Sequence, residues 1–318
     1  MANIMDTLKE KIRGKNLKIV FPEGADARIR EAAKRLAEDG LVKPIVLGTK
    51  EDIQEPLAGC EVINPETSDL YNDFVQTMVE RREGKASYDE AKEALKQVNY
   101  FGTMLVYTKH AHGLVSGAAH STGDTVRPAL QLIKTKPGVT KTFGYFLMIR
   151  GDEKYIMADC AINPDPDAKA LAEFAVESGK AAKVFGIDPK VALLSFSTNG
   201  SALTDETEKV RKAVKIAKKS EMDFPIDGEM QFDAAFVKSV GEKKFKDSSV
   251  AGQANVFIFP DLNSGNIGYK IAQRLGNFDA IGPVLAGINQ PVNDLSRGCS
   301  AEDAYNLAII TAAQAIQD

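Results

Sequence analysis

Short apolar runs alternate with stretches of helical spacing along most of the chain, and this alternation constrains the fold more than any other feature. Residues 17–21 form an apolar run that stops at Pro22-Glu23-Gly24; residues 26–39 then place Ile29, Ala33, Leu36 and Ala37 at helical spacing before Gly40. That is a strand, a turn and a helix. The strand signal recurs at 44–47 and 61–63, with helical stretches at 68–82, 87–97 and 99–110. After the Lys136-Pro137-Gly138 turn, strands are expected at 142–148, 155–160, 191–196, 256–259 and 280–285, and helices at 166–185, 205–219, 233–240, 265–275 and 300–316. Such a series predicts an α/β chain whose parallel-rich sheets are flanked by helices.

At 318 residues the chain is too long for one ordinary core, and two domains are expected. The last helix follows a loop rich in Gly, Pro and Asn and is placed back on the first domain. The expected division is therefore residues 1–140 with 296–318 as domain I, and 141–295 as domain II. A net charge of -4 argues against nucleic acid or an acidic membrane surface as a partner, so any anionic substrate must be met by local basic residues. Cys60, Cys160 and Cys299 are far apart and form no CxxC pair, which suggests neither a disulfide framework nor a zinc ribbon and fits a reducing compartment. No stretch approaches the roughly 20 apolar residues that cross a bilayer, and the expected location is the cytoplasm. Neither GxGxxG nor GxxxxGK[ST] occurs. His110, His112 and His120 lack a matching carboxylate or cysteine pattern, so structural roles are expected for them and no metal site.

Two segments depart from generic α/β sequence. Residues 113–131 run from an apolar strand into small hydroxyl residues before a helix. Backbone N–H groups at a helix start, the hydroxyls of Ser121, Thr122 and Thr125, and the guanidinium of Arg127 can together bind phosphate; the same residues also suit a capped βα turn. Residues 289–303 form a polar loop running into the final helix, where Ser300 and Asp303 have the spacing of a capping box. Asp294, Ser296 and Arg297 lie outside that helix, in a segment more polar than packing requires.

Together these segments resemble the phosphate acetyltransferase family. Further resemblance lies in Phe21-Pro-Glu-Gly-Ala-Asp-Ala-Arg28, Ala158-Asp-Cys-Ala-Ile-Asn-Pro164, Leu194-Ser-Phe-Ser-Thr-Asn-Gly-Ser-Ala202 and the run from Pro283 to Cys299. The resemblance is to the short forms, without an extra N-terminal regulatory region. It implies two α/β domains of isocitrate-dehydrogenase-like type, an active site in the interdomain cleft, and a homodimer joined through domain II. It implies acetyl transfer between coenzyme A and phosphate by direct thiolate attack in a ternary complex, with coenzyme A and acetyl phosphate as substrates and no cofactor. The catalytic positions would be Asp303, Ser296 and Arg297; Arg127, Ser121, Thr122, Asn293 and one or both of Arg81 and Arg82 would bind substrate. A butyryl or other acyl chain, or a non-catalytic coenzyme A binding module, is the alternative. One departure is Asn199, where the family pattern leads us to expect Lys.

Overall fold

The computed structural model describes residues 4–316. The chain divides into two compact units, Gly138–Gly287 and a second made of the segments on either side of it. The leading segment carries α1 (Ile4–Ile12), β1 (Lys18–Phe21), α2 (Ala27–Glu38), β2 (Lys43–Leu47), β3 (Glu61–Ile63), α3 (Tyr71–Arg82), α4 (Tyr88–Ala94), α5 (Val98–Tyr107), β4 (Gly113–Ser116) and α6 (Thr122–Leu132). Helix α2 shows why the local pattern holds. Asp26 caps it by accepting the Arg28 N–H, Ile29, Ala32, Ala33 and Leu36 are buried, and Gly40 turns away with φ +64 just beyond Asp39.

The inserted unit contains β5 (Phe143–Arg150), β6 (Glu153–Ala158), α7 (Ala168–Val184), β7 (Val191–Leu194), α8 (Asp205–Ala217), β8 (Ile226–Met230), α9 (Phe232–Phe236), α10 (Lys238–Lys244), β9 (Val256–Ile258), α11 (Leu262–Leu275) and β10 (Asp279–Ala286). Its six-stranded sheet has the order β10-β5-β6-β9-β7-β8, with β10 and β6 antiparallel to β5 and the remaining pairs parallel. Strand β8 is absent from the sequence expectation because Ile-Asp-Gly-Glu-Met has no apolar run to announce it. The helix expected at 233–240 is two short helices, separated where Val237 adopts an extended conformation.

The chain then returns through β11 (Val292–Asp294) and α12 (Ala301–Ala315). It rejoins the first unit at Ile288, eight residues before the expected point at 296. The difference is β11, three residues inside a segment read from sequence as loop, which pairs with β4 in the register Val292 to Leu114 and Asp294 to Ser116. The first sheet is thus β11-β4-β1-β2-β3, parallel throughout. Leu307, Ile309 and Ile310 of α12 are at most 1% exposed as it packs on α1, α2 and β4. Burial on that scale contributes roughly 1.5–3 kcal/mol per side chain, enough to anchor the returning segment.

Candidate active site

Strands β1, β4 and β11 are neighbours and end at the same edge, so the loops that follow them come together. In open parallel sheets the carboxyl edge is where ligands bind. Glu23, on the loop after β1, is 4% exposed. Its carboxylate accepts the Ala118 N–H at 2.8 Å, the Ala119 N–H at 2.8 Å and the His120 N–H at 2.9 Å, with His120 Nδ1 also at 2.8 Å. The backbone donors just ahead of α6 are therefore filled by an acid of the chain itself.

Arg28 joins the three loops. Its guanidinium donates to Asp26 at 2.6 and 3.0 Å, to the Ala118 carbonyl at 2.9 Å, to the Arg297 carbonyl at 2.9 Å and to the Cys299 carbonyl at 2.8 Å. The paired Asp26 carboxylate lowers its own titration through these bonds and holds Arg28 firmly protonated. The sequence contains this pair in the Phe21–Arg28 motif, but nothing local shows that the side chain of Arg28 reaches residues 269 and 271 positions away.

Ser121 and Asp124 make a reciprocal capping box at the start of α6, with Ser121 Oγ donating to Asp124 at 2.7 Å. Thr122 donates its hydroxyl to Asp294 at 2.6 Å, and the Thr125 hydroxyl is buried without a hydrogen-bond partner. Of the hydroxyls expected to bind phosphate, those of Ser121 and Thr122 donate to the carboxylates of Asp124 and Asp294 and that of Thr125 is buried. Arg127 is exposed, its side chain makes no hydrogen bond or ion pair among the described residues, and its guanidinium folds back to within 3.8 Å of where a Cβ on Gly123 would stand.

On the third loop, Ser296, Arg297 and Gly298 are exposed. Ser296 Oγ accepts the Gly298 N–H at 3.3 Å, and its carbonyl accepts the Cys299 N–H at 2.9 Å, so the loop is a tight turn. The Arg297 side chain makes no hydrogen bond or ion pair among the described residues. Ser300 and Asp303 form the expected capping box, the carboxylate accepting the Ser300 N–H and hydroxyl, both at 2.8 Å. Cys299 is 7% exposed, and burial pushes its thiol up, partly offset by Arg28. A raised thiol is a poor nucleophile.

Ser296, Arg297 and Asp303 thus share one loop and helix start, tied by Arg28 to the loop that leads into Arg127. Asn293 does not join them. It is 0% exposed, and its amide donates to Thr311 and Gln314 at 2.7 Å each, because alternate β11 side chains face α12. Arg81 donates to the Leu132 and Ile133 carbonyls at 2.6 and 3.3 Å and lies 5.0 Å over the Tyr107 ring, which makes it a clamp on the far end of α6. The Arg82 carbonyl accepts the Lys85 N–H, and its side chain makes no hydrogen bond or ion pair among the described residues. His112 Nδ1 accepts the Lys18 N–H, His110 Nδ1 is bonded to Thr108, and only His120 lies at the candidate site. Asn199 lies in the inserted unit at φ +47, donating its N–H to the Glu229 carbonyl.

Comparison with known proteins bears on this arrangement over its full length. A family model described as phosphate acetyl/butaryl transferase matches residues 3–312. The chain is 60% identical to a phosphate acetyltransferase of Bacillus subtilis over 99% of its own length and all of that protein's, and 60% identical to one from Staphylococcus epidermidis over the whole of both. Among solved structures it resembles a phosphotransacetylase from Streptococcus pyogenes, with TM-score 0.97, 56% identity and complete coverage of both chains. A branched-chain phosphotransacylase from Enterococcus faecalis shares the fold at TM-score 0.73 and 20% identity, covering 94% of this chain and 99% of that one. The chain belongs to the phosphate acetyl/butaryl transferase family.

Proposed function

We propose that the protein transfers an acetyl group reversibly between coenzyme A and phosphate, at the loops following β1, β4 and β11. The observation that carries this reading is the conjunction on those loops of two arginines whose side chains have no hydrogen bond or ion pair among the described residues, Arg127 and Arg297, with an exposed hydroxyl and an exposed carboxylate, in a chain 60% identical to phosphate acetyltransferases end to end.

In this mechanism Asp303 takes the proton of the coenzyme A thiol, since the thiolate is the nucleophile. Asp303 is exposed, so bound substrate must exclude water from it before its basicity approaches that of a thiol. The sulfur bonds to the acyl carbon of acetyl phosphate, and the carbonyl electrons move onto oxygen. Ser296 donates a hydrogen bond to that oxygen, and one well-placed donor contributes about 3 kcal/mol. The carbon–oxygen bond to phosphate then breaks, Arg127 and Arg297 offset the charge on the departing group, and the proton on Asp303 passes to phosphate. Acetyl-CoA and inorganic phosphate remain, with no covalent intermediate and no cofactor in the cycle.

A steady-state assay of acetyl-CoA formation from acetyl phosphate and coenzyme A, with a chelator present, tests the reading; a folded protein with no thioester product refutes it. Butyryl phosphate in the same assay decides the acyl chain.

The protein is further proposed to be a cytoplasmic homodimer. No helix among the described residues is long and apolar enough to cross a membrane, and all three cysteines are free. On α11, Ile267, Ile271 and Leu275 are 57%, 53% and 82% exposed at four-residue spacing. A two-fold axis through Ile271 would set Ile267 of each copy against Leu275 of the other, a self-complementary contact. Sedimentation of Ile271→Glu as a monomer supports this assembly; an unchanged dimer removes α11 from the interface.

A further inference from the structure

Strand β11 ends in a buried acid to which the mechanism above gives no task. Asp294 is 1% exposed. One of its oxygens accepts the Thr122 hydroxyl at 2.6 Å, while Oδ1 has no hydrogen-bond partner. The Thr125 hydroxyl, nearly one turn along α6, is also buried and unbonded, yet close enough to favour the Asp294 anion. The loop after β4 is shaped around the same carboxylate: a Cβ on Gly117 would fall 2.5 Å from Oδ1, and φ +111 there is a glycine conformation. In-register pairing places Asp294 beside Ser116, on the sheet face where Ser116 donates to Asn99 of α5. A carboxylate sunk in the core with an unused acceptor weakens the fold. Its cost to the fold points to a different task.

We propose that Asp294 is a positioning residue for acyl transfer, locking the first turn of α6 through Thr122 to the base of the Ser296–Arg297 loop so that Arg127 and Arg297 address one phosphate group. This rests on the function proposed above.

The charge state of Asp294 provides a readout that a passive packing role would not move. Burial raises its titration from 3.8 to about 6, against the favourable hydroxyls of Thr122 and Thr125, with the Glu23 carboxylate adding to the rise. Other charged groups on the packed elements are Asp124 and Arg127 of α6, Glu302 and Asp303 of α12, and His120 after β4; α5 brings only the phenols Tyr100 and Tyr107. A raised acid favours the protonated form in the folded chain. The associated stability is whole below 3.8 and is lost as pH rises through about 6. Asparagine mimics the protonated state, keeping one acceptor oxygen and turning the other into a donor.

The experiment compares wild type, Asp294→Asn, Thr122→Val and the double variant in kcat/KM for acetyl phosphate between about pH 5 and 8, with thermal melts beside each. Each single variant is expected to lose about tenfold or more at neutral pH, and the double variant no more than the worse single one, because both cut one link. Asp294→Asn is expected to melt above wild type once pH exceeds about 6, and wild-type kcat/KM is expected to fall toward that of the variant below it. Folded single variants with wild-type kcat/KM would overturn the proposal, as would losses that multiply or an activity loss matched by a lower melting temperature. If wild type itself makes no acetyl-CoA, the proposed function fails and this inference fails with it; if wild type turns over and the variants match it, only the positioning role falls.

Discussion

Ser121 and Asp124 open α6 with the same reciprocal cap that Ser300 and Asp303 make at α12. In both, the serine N–H and hydroxyl point at one carboxylate oxygen and the serine oxygen accepts the aspartate N–H, at 3.3 Å in the first and 3.1 Å in the second. Their surroundings differ. The α6 cap stands over the buried Asp294, and its next residue, Thr122, is engaged by that acid. The α12 cap follows an exposed turn carrying Ser296 and Arg297. The capping geometry therefore says nothing about chemistry by itself; what a capped aspartate can do depends on which groups beside it remain free for a substrate.

The comparison is broken most sharply by removing each carboxylate's charge. Asp303→Asn is expected to lower kcat by about 100- to 10,000-fold with little change in KM for acetyl phosphate, the usual consequence of losing a general base, while Asp124→Asn keeps most of the wild-type rate. A folded Asp303→Asn variant with wild-type kcat would leave that aspartate as a cap alone, and partial recovery of Asp303→Asn at high pH would separate thiol activation from misfolding.

A smaller difference is expected between the two arginines. Arg297, on the turn beside Ser296, should affect turnover most, so Arg297→Ala is expected to lose on the order of 100-fold in kcat. Arg127, on the first turns of α6, suits binding of the ground-state phosphate, and Arg127→Ala is expected to raise KM for acetyl phosphate about tenfold. Full kinetics on both variants check the assignment; reversed effects on kcat and KM would exchange their roles.

The smallest effect tests the shared element. Ser121→Ala and Ser300→Ala are each expected to cost about 1 kcal/mol in denaturant unfolding, the typical value of a lost N-cap. A much larger cost for Ser121→Ala would show that the α6 cap also supports the buried Asp294 contact.

Much of this was legible in the sequence, for physical reasons that particular residues illustrate. Helix α2 declares itself because its cap, apolar face and terminal glycine all lie within fifteen residues. The Ser300–Asp303 cap is likewise a local pattern. Strand β11 is not: Val-Asn-Asp has no strand signature, and its order comes from hydrogen bonds to β4, far earlier in the chain. Asn293, which the resemblance assigns to substrate, has its amide turned toward α12 by that pairing. Arg81, assigned to substrate by the family resemblance, donates to the Leu132 and Ile133 carbonyls, partners that no local pattern shows. Arg28 is the converse case, a residue of the Phe21–Arg28 motif whose hydrogen-bond partners are all backbone carbonyls except Asp26, and carbonyls leave no trace in sequence.

The insertion of one unit between α6 and β11 sets an order of events during synthesis. Residues 138–287 are contiguous and can form their six-stranded sheet as soon as they emerge from the ribosome. The other unit has its first ten elements translated early, but β4 lacks its β11 neighbour, α1 and α2 lack the apolar face of α12, and Arg28 lacks two of its carbonyl acceptors until the segment that carries β11 and α12 is released. A nascent chain arrested before β11 would hold one completed unit and one open apolar surface for chaperones to cover.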